Sequence, residues 1–302
     1  QYGLAPLAGT APGAGVVGHA LTGGLGWLSR AHGWTCNSVK AIELVLADGT
    51  HVRTDHATHP ELSWALRGGG ASGFGIVTAL ELELYPAPAL HGGALLFPGI
   101  RAGEVLAAWR DWTRTVPDEV SSIARILNPP GGDSVVRVEV ATTGDAQVLQ
   151  PLRELRPVAD LIAPMTPDRL PEIHNDPSEP TALVHAERLL EDGTLAGLVS
   201  HAGAPLLTVE LRHLGGALAR GSVSHGAVNR VQAPLQLHAA GVQHDAQSAM
   251  AVDAALTRLT DALEPWNVGG VHDAFTRHRL RALKERIDGA GLFAATGSSS
   301  TA

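Results

Sequence analysis

Apolar and polar positions along the chain recur in the two periods that distinguish helices from strands. Apolar residues return at helical spacing over 102–116 and 246–263, and both segments are predicted as amphipathic helices. Residues 76–85, 134–142 and 206–212 alternate with a period of two and are predicted as strands. The pattern therefore predicts a mixed structure rather than an all-helical one.

Turn residues separate these elements and add further ones. Asp48-Gly49 lies between two apolar-bearing runs, 41–46 and 50–54, and predicts a β-hairpin. Shorter helices are predicted over 60–67, where Pro60 stands at the start, and over 146–155 and 278–287. Helices mixed with antiparallel-looking strands indicate an α+β fold. The Pro86-Ala87-Pro88 segment is the best candidate for a domain boundary.

Composition narrows the possible functions. The net charge of −8 argues against a general nucleic-acid binder. A single cysteine, Cys36, excludes an internal disulfide framework and a cysteine-based zinc site. No 18-residue uncharged apolar run occurs, so no membrane-spanning helix is predicted. No basic-then-apolar signal segment follows Gln1, and a cytoplasmic location is expected.

Glycine is the outlier, with 35 of 302 residues gathered mainly in short loops. The run Gly13-Ala14-Gly15-Val16-Val17-Gly18 matches GxGxxG. A Rossmann site needs a strand before this motif and a helix after it. Here an Ala-Pro-rich segment precedes it and further glycines follow. A loop that brings backbone N–H groups close to a ligand such as a pyrophosphate is the favoured interpretation.

Other chemistry-bearing residues have plain structural interpretations. His51, His56 and His59 lie near Asp55 in a polar connection, where exposed loop histidines are favoured over a metal site. Neither HExxH nor a GxSxG elbow is present in the sequence, so a hydrolase or transferase is disfavoured. Two tryptophans three residues apart on a predicted helix, Trp109 and Trp112, are expected in the core.

Several stretches together resemble the FAD-linked oxidase family with a C-terminal region of the berberine-bridge-enzyme type, within the vanillyl-alcohol oxidase superfamily. Their order and spacing agree over residues 18–37, 45–49, 59–70 and 74–78. Weaker similarity continues at 210–217, 279–284 and 291–293. The resemblance implies the second FAD-binding subdomain of the PCMH type, followed by an antiparallel-sheet substrate domain with covering helices. The implied domains are 1–86, 87–270 and a C-terminal segment with a disordered tail, 271–302.

The resemblance also implies FAD as the cofactor and assigns residues to it. The loop 10–18 is expected to lie along the pyrophosphate and ring of FAD. The glycines that follow it are expected to form a turn. The residues at the end of the second glycine loop, 68–75, and just after it are expected to contact FAD through backbone atoms. The expected cofactor-binding residues are Thr10, Gly13, Gly15, Val16, Gly18, His19, Gly23, Gly24, Gly26, Gly75, Ile76 and Val77. Glycine is suited to this task because it lets the backbone approach a large anionic ligand.

The sequence departs from the family at three places. The other FAD-binding subdomain, with its flavin-linking histidine, has no counterpart before residue 1, so an N-terminally truncated chain is expected. Ala11 stands where bicovalent members carry a second attachment point, a cysteine. Near the C-terminus, His272 and Ala274 stand where the family has a tyrosine and an asparagine that line the active site.

The expected function is a FAD-dependent oxidoreductase that takes a hydride from an alcohol, sugar or amine carbon of a small-molecule substrate. Molecular oxygen is the expected acceptor, and neither nucleic acid nor a membrane is an expected partner. Glu210 and Arg212 share one face of a strand by period two and are the candidate catalytic residues. The alternative is a degenerate or fragmentary family member without catalytic activity of its own.

Overall fold

The computed structural model describes residues 3–11, 13–70, 73–86, 90–176, 182–191 and 195–293. The strands are β1 Leu4–Ala5, β2 Val39–Val45, β3 His51–Thr54, β4 Ile76–Leu82, β5 Tyr85–Pro86, β6 Leu90–Pro98, β7 Val120–Leu127, β8 Val135–Thr142, β9 Ala159–Asp160, β10 Ala163–Met165, β11 Leu183–Leu190, β12 Thr208–His213 and β13 Leu235–Val242. The α-helices are α1 Val16–Leu21, α2 Ser29–His32, α3 Pro60–Leu66, α4 Ala102–Thr113, α5 Gln150–Arg153, α6 Pro171–His174, α7 Leu195–His201, α8 Ala246–Leu263 and α9 Ala274–Ile287.

The largest sheet is antiparallel throughout and runs in the order β10-β6-β8-β7-β12-β13-β11, with β9 paired to β6 at its edge. Alternate side chains of its central strands point to one face and form the main core with α4, α7 and α8. Trp109 and Trp112 both lie in this core, as predicted. Their indole N–H groups donate to Ser122 Oγ at 3.0 Å and to the Val148 carbonyl at 2.8 Å, which satisfies both buried donors.

The opposite face of the same sheet carries charged side chains in register. Glu210 of β12 faces Arg125 of β7 on one side and His238 of β13 on the other. Arg125 in turn faces Arg137 of β8, and His238 faces Glu187 of β11. A charged row this regular follows from period-two alternation, because the apolar partners of these residues point to the helices.

The N-terminal segment packs on that second face. Leu7, Trp27 and Leu28 form a cluster with Ile123 of β7 and Ile173 of α6. The segment before α3 therefore covers part of the charged face and shields that part from water.

Arg30 of α2 joins the N-terminal segment to the sheet. Its Nε donates to the Val120 carbonyl at 2.7 Å, and its two terminal nitrogens donate to the carbonyls of Leu214 and Pro117. The guanidinium is buried and lies 3.8 Å from the Asp118 carboxylate. Planar guanidinium groups present several donors in a fixed arrangement, so this side chain can join its own helix to two other segments, 117–120 and the end of β12.

A smaller sheet, β3-β2-β4, forms a second core with α3 and α9. The hairpin predicted around Asp48-Gly49 is present, because β2 and β3 pair antiparallel across that turn and Gly49 has a positive φ of 83°. Leu283 of α9 is buried in this core together with Leu66 of α3. The C-terminal helix is therefore part of the fold of the N-terminal region.

The element predictions differ from the structure in instructive ways. The helix 246–263 has the predicted bounds, whereas the last helix begins four residues earlier because the Asp273 side chain caps it through the Thr276 N–H. The predicted helix 146–155 is a 3₁₀ turn followed by one α-helical turn. The sequence pattern predicts none of β6, β7, β11 and β13.

The α+β prediction is confirmed. The proposed division at 86/87 stays a prediction, since residues 87–89 lie outside the described residues, as does the tail 294–302.

Replacing Arg30 with methionine is expected to destabilise the fold by about 3 kcal/mol, because the carbonyls of the buried Val120 and Leu214 and that of Pro117 lose their donor. The measurement is the free energy of unfolding from denaturant titration. The matched control is Arg220→Met, which removes an exposed arginine paired with the same Asp118 and should cost less than about 1 kcal/mol. Equal losses for the two variants would contradict the role assigned to Arg30.

Candidate active site

A small cavity lies where the N-terminal segment meets the charged face of the large sheet. Its volume is about 20 Å³, which is room for about one water molecule. Thr10 and Gly26 line it from the N-terminal side, and Arg212 and His213 line it from β12. The structure therefore brings two expected cofactor-binding residues and one expected catalytic residue to the same place.

Two buried donors or acceptors in the walls of this cavity have no partner within the described residues. Trp27 Nε1 and His213 Nδ1 are both buried without a hydrogen bond. Burial, followed by the nearby Arg30 guanidinium, lowers the pKa of His213 to about 3. His213 is therefore neutral at physiological pH, and its unpaired nitrogen is available to a polar ligand.

Glu210 and Arg212 form a tight pair, with the Arg212 guanidinium donating to Glu210 Oε1 at 2.7 and 3.2 Å. Arg212 lines the cavity, whereas Glu210 lies behind it and is only 1% exposed. Burial alone would raise the pKa of Glu210, but Arg212, His174 and His238 outweigh it and lower the pKa to about 2. Glu210 is therefore an ionised acceptor at neutral pH.

The second oxygen of Glu210 is unusual for a buried carboxylate. Oε2 has no hydrogen-bond partner among the described residues, and it lies 3.3 Å from His174 Nε2 without hydrogen-bond geometry. A buried acceptor without a donor costs free energy unless a ligand or a proton satisfies it.

Glu139 of β8 is the centre of the charged face, although it is not among the predicted site residues. It is 0% exposed. It has hydrogen bonds with Arg137 Nε at 2.9 Å and His174 Nδ1 at 2.6 Å, and it forms an ion pair with Arg125 Nη2 at 2.8 Å. The period-two spacing of Arg137 and Glu139 resembles that of Glu210 and Arg212. That shared spacing was the available sequence signal, whereas His174 comes from a distant helix end and carried none.

The first glycine loop presents an open surface. Gly13, Gly15, Val16 and Gly18 are all exposed, and Val16 retains 58% of its accessible surface. A Cβ atom added at any of these three glycines would meet no described atom within 4 Å. Helix α1 starts at Val16 without a side-chain cap, so its first-turn N–H groups are open to a ligand.

The other predicted glycines are required by the packing of the chain itself. Gly24 has a φ of 77°, and a Cβ there would lie 2.6 Å from Thr35 Cβ. A Cβ at Gly26 would lie 1.8 Å from the Ala8 carbonyl oxygen, and one at Gly75 would lie 2.5 Å from that of Val45. Gly23 also has a positive φ, of 123°. Each of these glycines therefore has a structural reason that does not involve a cofactor.

The remaining predicted residues, His19, Ile76 and Val77, differ in their burial and contacts. The ring of His19 lies against Gly9 and its Nε2 is 3.2 Å from Thr35 Oγ1, while burial lowers its pKa. Ile76 is 62% exposed at the start of β4, and the neighbouring Val77 packs on the same core cluster as Val17 of α1. The start of β4 and the first glycine loop therefore border one core.

The chain is similar in sequence to known FAD-linked proteins. Residues 1–55 match the family model described as FAD binding domain. The xylooligosaccharide oxidase of Thermothelomyces thermophilus is 36% identical over 108 residues, which is 36% of this chain and 20% of that protein. An uncharacterised FAD-linked oxidoreductase of Bacillus subtilis is 34% identical over 126 residues, 40% of this chain and 28% of that protein. These alignments therefore span less than a third of each relative.

The fold is similar to that of a solved oxidase. The 6-hydroxy-D-nicotine oxidase of Arthrobacter nicotinovorans superimposes with a TM-score of 0.83 at 23% identity, covering 96% of this chain and 72% of that one. The predicted resemblance to FAD-linked oxidases is confirmed by the family model and the named relatives, and FAD is the cofactor that they support. The chain is thus similar to FAD-linked oxidoreductases.

The described residues contain neither a candidate membrane-spanning helix nor a candidate metal-binding cluster. No helix in the described ranges is long and apolar enough to cross a membrane. Over the same ranges, no three His, Cys, Asp or Glu side chains come together in a way that could hold a metal ion.

The stability of the protein is expected to fall as the pH is lowered from about 6.5 to about 3, because the unfolded chain protonates His213 in this window while the folded chain does not. His213→Gln should flatten this part of the profile. The measurement is the free energy of unfolding at several pH values. The control is His225→Gln, at an exposed imidazole, which should leave the slope in place; an unchanged slope for His213→Gln would refute the assignment.

Proposed function

We propose that this chain, a FAD-linked oxidoreductase by resemblance, contributes to the FAD-dependent oxidation of an alcohol, sugar or amine carbon. The observation that carries the proposal is the meeting of two surfaces at one cavity. Thr10 and Gly26 reach it from the segment that matches a FAD binding domain, and Arg212 reaches it from the charged sheet face. Cofactor and substrate chemistry need this kind of proximity.

The open glycine loop is the part of the chain suited to the cofactor. Gly13, Gly15 and Gly18 leave the backbone of the loop accessible to pyrophosphate oxygens. Exposed Ile76 would add an apolar contact from β4. When bound, FAD supplies the two-electron acceptor for the substrate hydride.

The sheet supplies the polar groups that act on the substrate. Arg212 holds a fixed positive charge at the cavity and orients an oxygen or nitrogen atom of the substrate. Glu210 is ionised behind Arg212 and is the proposed acceptor of the proton that leaves the hydroxyl or amine. Neutral His213 offers a further hydrogen bond through its unpaired Nδ1.

The names of the relatives support a proposal for the substrate class. One is a xylooligosaccharide oxidase and a second is a carbohydrate oxidase of Microdochium nivale, so a sugar carbon is the first candidate. The nicotine oxidase similarity in fold keeps an amine carbon as the second. We propose molecular oxygen as the acceptor that reoxidises the flavin, and a cytoplasmic location remains a prediction.

The purified 302-residue chain is expected to bind FAD, and Gly15→Leu is expected to weaken binding at least tenfold by filling the open loop. Titration with FAD, followed by flavin fluorescence, measures the affinity, and circular dichroism checks the fold. The control is Gly203→Leu, since Gly203 is also exposed with no described atom near its Cβ position. Absence of FAD binding by the unaltered chain would favour the alternative of a member that is inactive on its own.

Glu210→Gln is expected to slow reduction of the bound flavin by oligosaccharide or amine substrates by about 10²-fold or more, because it removes the proton acceptor. The measurement is anaerobic stopped-flow absorbance at saturating substrate. Glu187→Gln, on the same sheet face but half exposed, is the matched control and should reduce at the normal rate. Unchanged reduction in Glu210→Gln would remove Glu210 from the site.

A further inference from the structure

The C-terminal helix α9 reaches the smaller core from the edge of the large sheet. Shortly before it, the Val268 N–H donates to the carbonyl of Leu189 in the edge strand β11 at 3.0 Å. Gly269 and Gly270 follow, and a Cβ atom added at either would meet no described atom within 4 Å. Helix α9 therefore docks on the smaller core as an arm that is joined to the large sheet by an open connection.

Apolar packing holds α9 on this core, with a polar contact on either side. The apolar residues of α9 in the core are Leu280, Leu283 and Ile287. On the surface of α3, the Arg279 guanidinium lies 3.7 Å from the centre of the Trp64 ring, and Arg286 donates to Glu61. Exposed contacts of these two kinds contribute little each, so the leucines and the isoleucine supply most of the docking free energy.

Leu280 supports the second glycine loop directly. A Cβ atom at Gly69 would lie 2.5 Å from Leu280 Cδ2, so the glycine leaves the space that this side chain fills. The Gly69 N–H donates to the Ala65 carbonyl at 2.9 Å, which fixes the turn after α3. Leu280 therefore packs against a turn whose backbone is already hydrogen-bonded in place.

The residues on both sides of Gly69 connect this turn to α1. The N–H groups of Gly68 and Gly70 both donate to the Leu21 carbonyl, at 3.0 and 3.1 Å. Leu21 is the last residue of α1 and is buried in the same core as Leu283. A continuous series of contacts therefore leads from α9 through the second glycine loop to the end of α1.

Helix α1 depends on these contacts because little else holds it. It has six residues and no side-chain cap, and a helix of this length is not stable by itself. Its two residues that are 0% exposed, Ala20 and Leu21, lie at its C-terminal end. Its other end forms part of the open first glycine loop, where Gly15 and Gly18 have free space beside them. The position of the loop is therefore set from the buried end of α1.

We propose that α9 is a positioning element for the first glycine loop, and that Leu280 is the positioning residue through which it sets the affinity of the loop for FAD. The inference rests on the proposed function for the identity of the ligand. A loop already held in its binding geometry loses less conformational entropy when the ligand binds than a loose one. Because such coupling is reciprocal, bound FAD also strengthens the docking of α9.

The first test measures amide hydrogen exchange by NMR in the FAD-free chain. Leu280→Ala is expected to speed exchange about tenfold or more at the N–H groups of Gly68, Gly70 and Thr22, the last of which donates to the Gly18 carbonyl in α1. The matched control is Leu155→Ala, which truncates a half-buried leucine that packs against the main core instead. This control should leave exchange at the three N–H groups unchanged.

Leu280→Met keeps the side-chain volume and should restore slow exchange, because volume-conserving apolar changes are tolerated best. Leu280→Val is the second variant if Leu280→Ala fails to fold, and it should give a smaller increase at the same N–H groups. Unchanged exchange at Gly68 and Gly70 would overturn the proposal. Equal acceleration at these glycines and in β12 would also overturn it, since that result indicates a general loss of stability.

The second test adds FAD and follows flavin fluorescence. Leu280→Ala should weaken FAD binding about tenfold, whereas Leu280→Met and Leu155→Ala should bind within about twofold of the unaltered chain. Saturating FAD should slow amide exchange in α9 of the unaltered chain. Equal FAD affinity in Leu280→Ala and the unaltered chain would refute the positioning role. If the unaltered chain binds no FAD while the exchange results are as expected, the proposed function fails and the coupling of α9 to the loop stands.

Discussion

The burial of charge on the second face of the large sheet is the constraint on which the rest of the structure depends. Glu139 is fully buried, and it is tolerated because it is hydrogen-bonded to Arg137 and His174 and ion-paired with Arg125. Removing water from a carboxylate costs several kcal/mol or more unless the charge is paired and hydrogen-bonded. The face can therefore be covered by the N-terminal segment only while these partners come from their separate strands and from α6.

This burial of charge also explains which elements can be predicted from the sequence and which cannot. The helix at 246–263 is amphipathic and exposed on one side, so its periodicity is visible and its bounds are correct. Strand β7 is buried on both faces along nearly its whole length, because its charged side is covered as well. Its pattern of Ser, Ile, Ala and Arg therefore lacks the exposed polar side that alternation is expected to show.

The same distinction applies to the residues of the candidate site. Glu210 and Arg212 are two residues apart on one strand, so their common face can be read from the sequence. His174 reaches Glu139 across 35 residues and Arg125 across 49, and no local pattern encodes these contacts. The strand pairing that joins them, between β7, β8 and β12, becomes known only with the fold.

The glycines show how a correct family prediction can rest on two different physical causes. Gly24, Gly26 and Gly75 are held by the packing of the chain on itself, so their presence is explained before any cofactor is considered. Gly13, Gly15 and Gly18 have no such reason, since larger residues would fit the space around them. Only the second group therefore carries information about a ligand. The sequence alone cannot separate the two groups, because the atoms that crowd Gly26 and Gly75 are backbone oxygens from other segments.

Arg30 links the segment that carries the first glycine loop to the charged face of the large sheet. It lies in the segment that carries the glycine loops, and its guanidinium binds carbonyls at Val120, Pro117 and Leu214 around the edge of the charged face. The same side chain lines the cavity and helps to keep His213 neutral. The position of the cofactor-side loop and the protonation of a cavity-lining imidazole are therefore set by one buried cation. A displacement of the loop that moved Arg30 would change both the shape of the cavity and its hydrogen-bonding character.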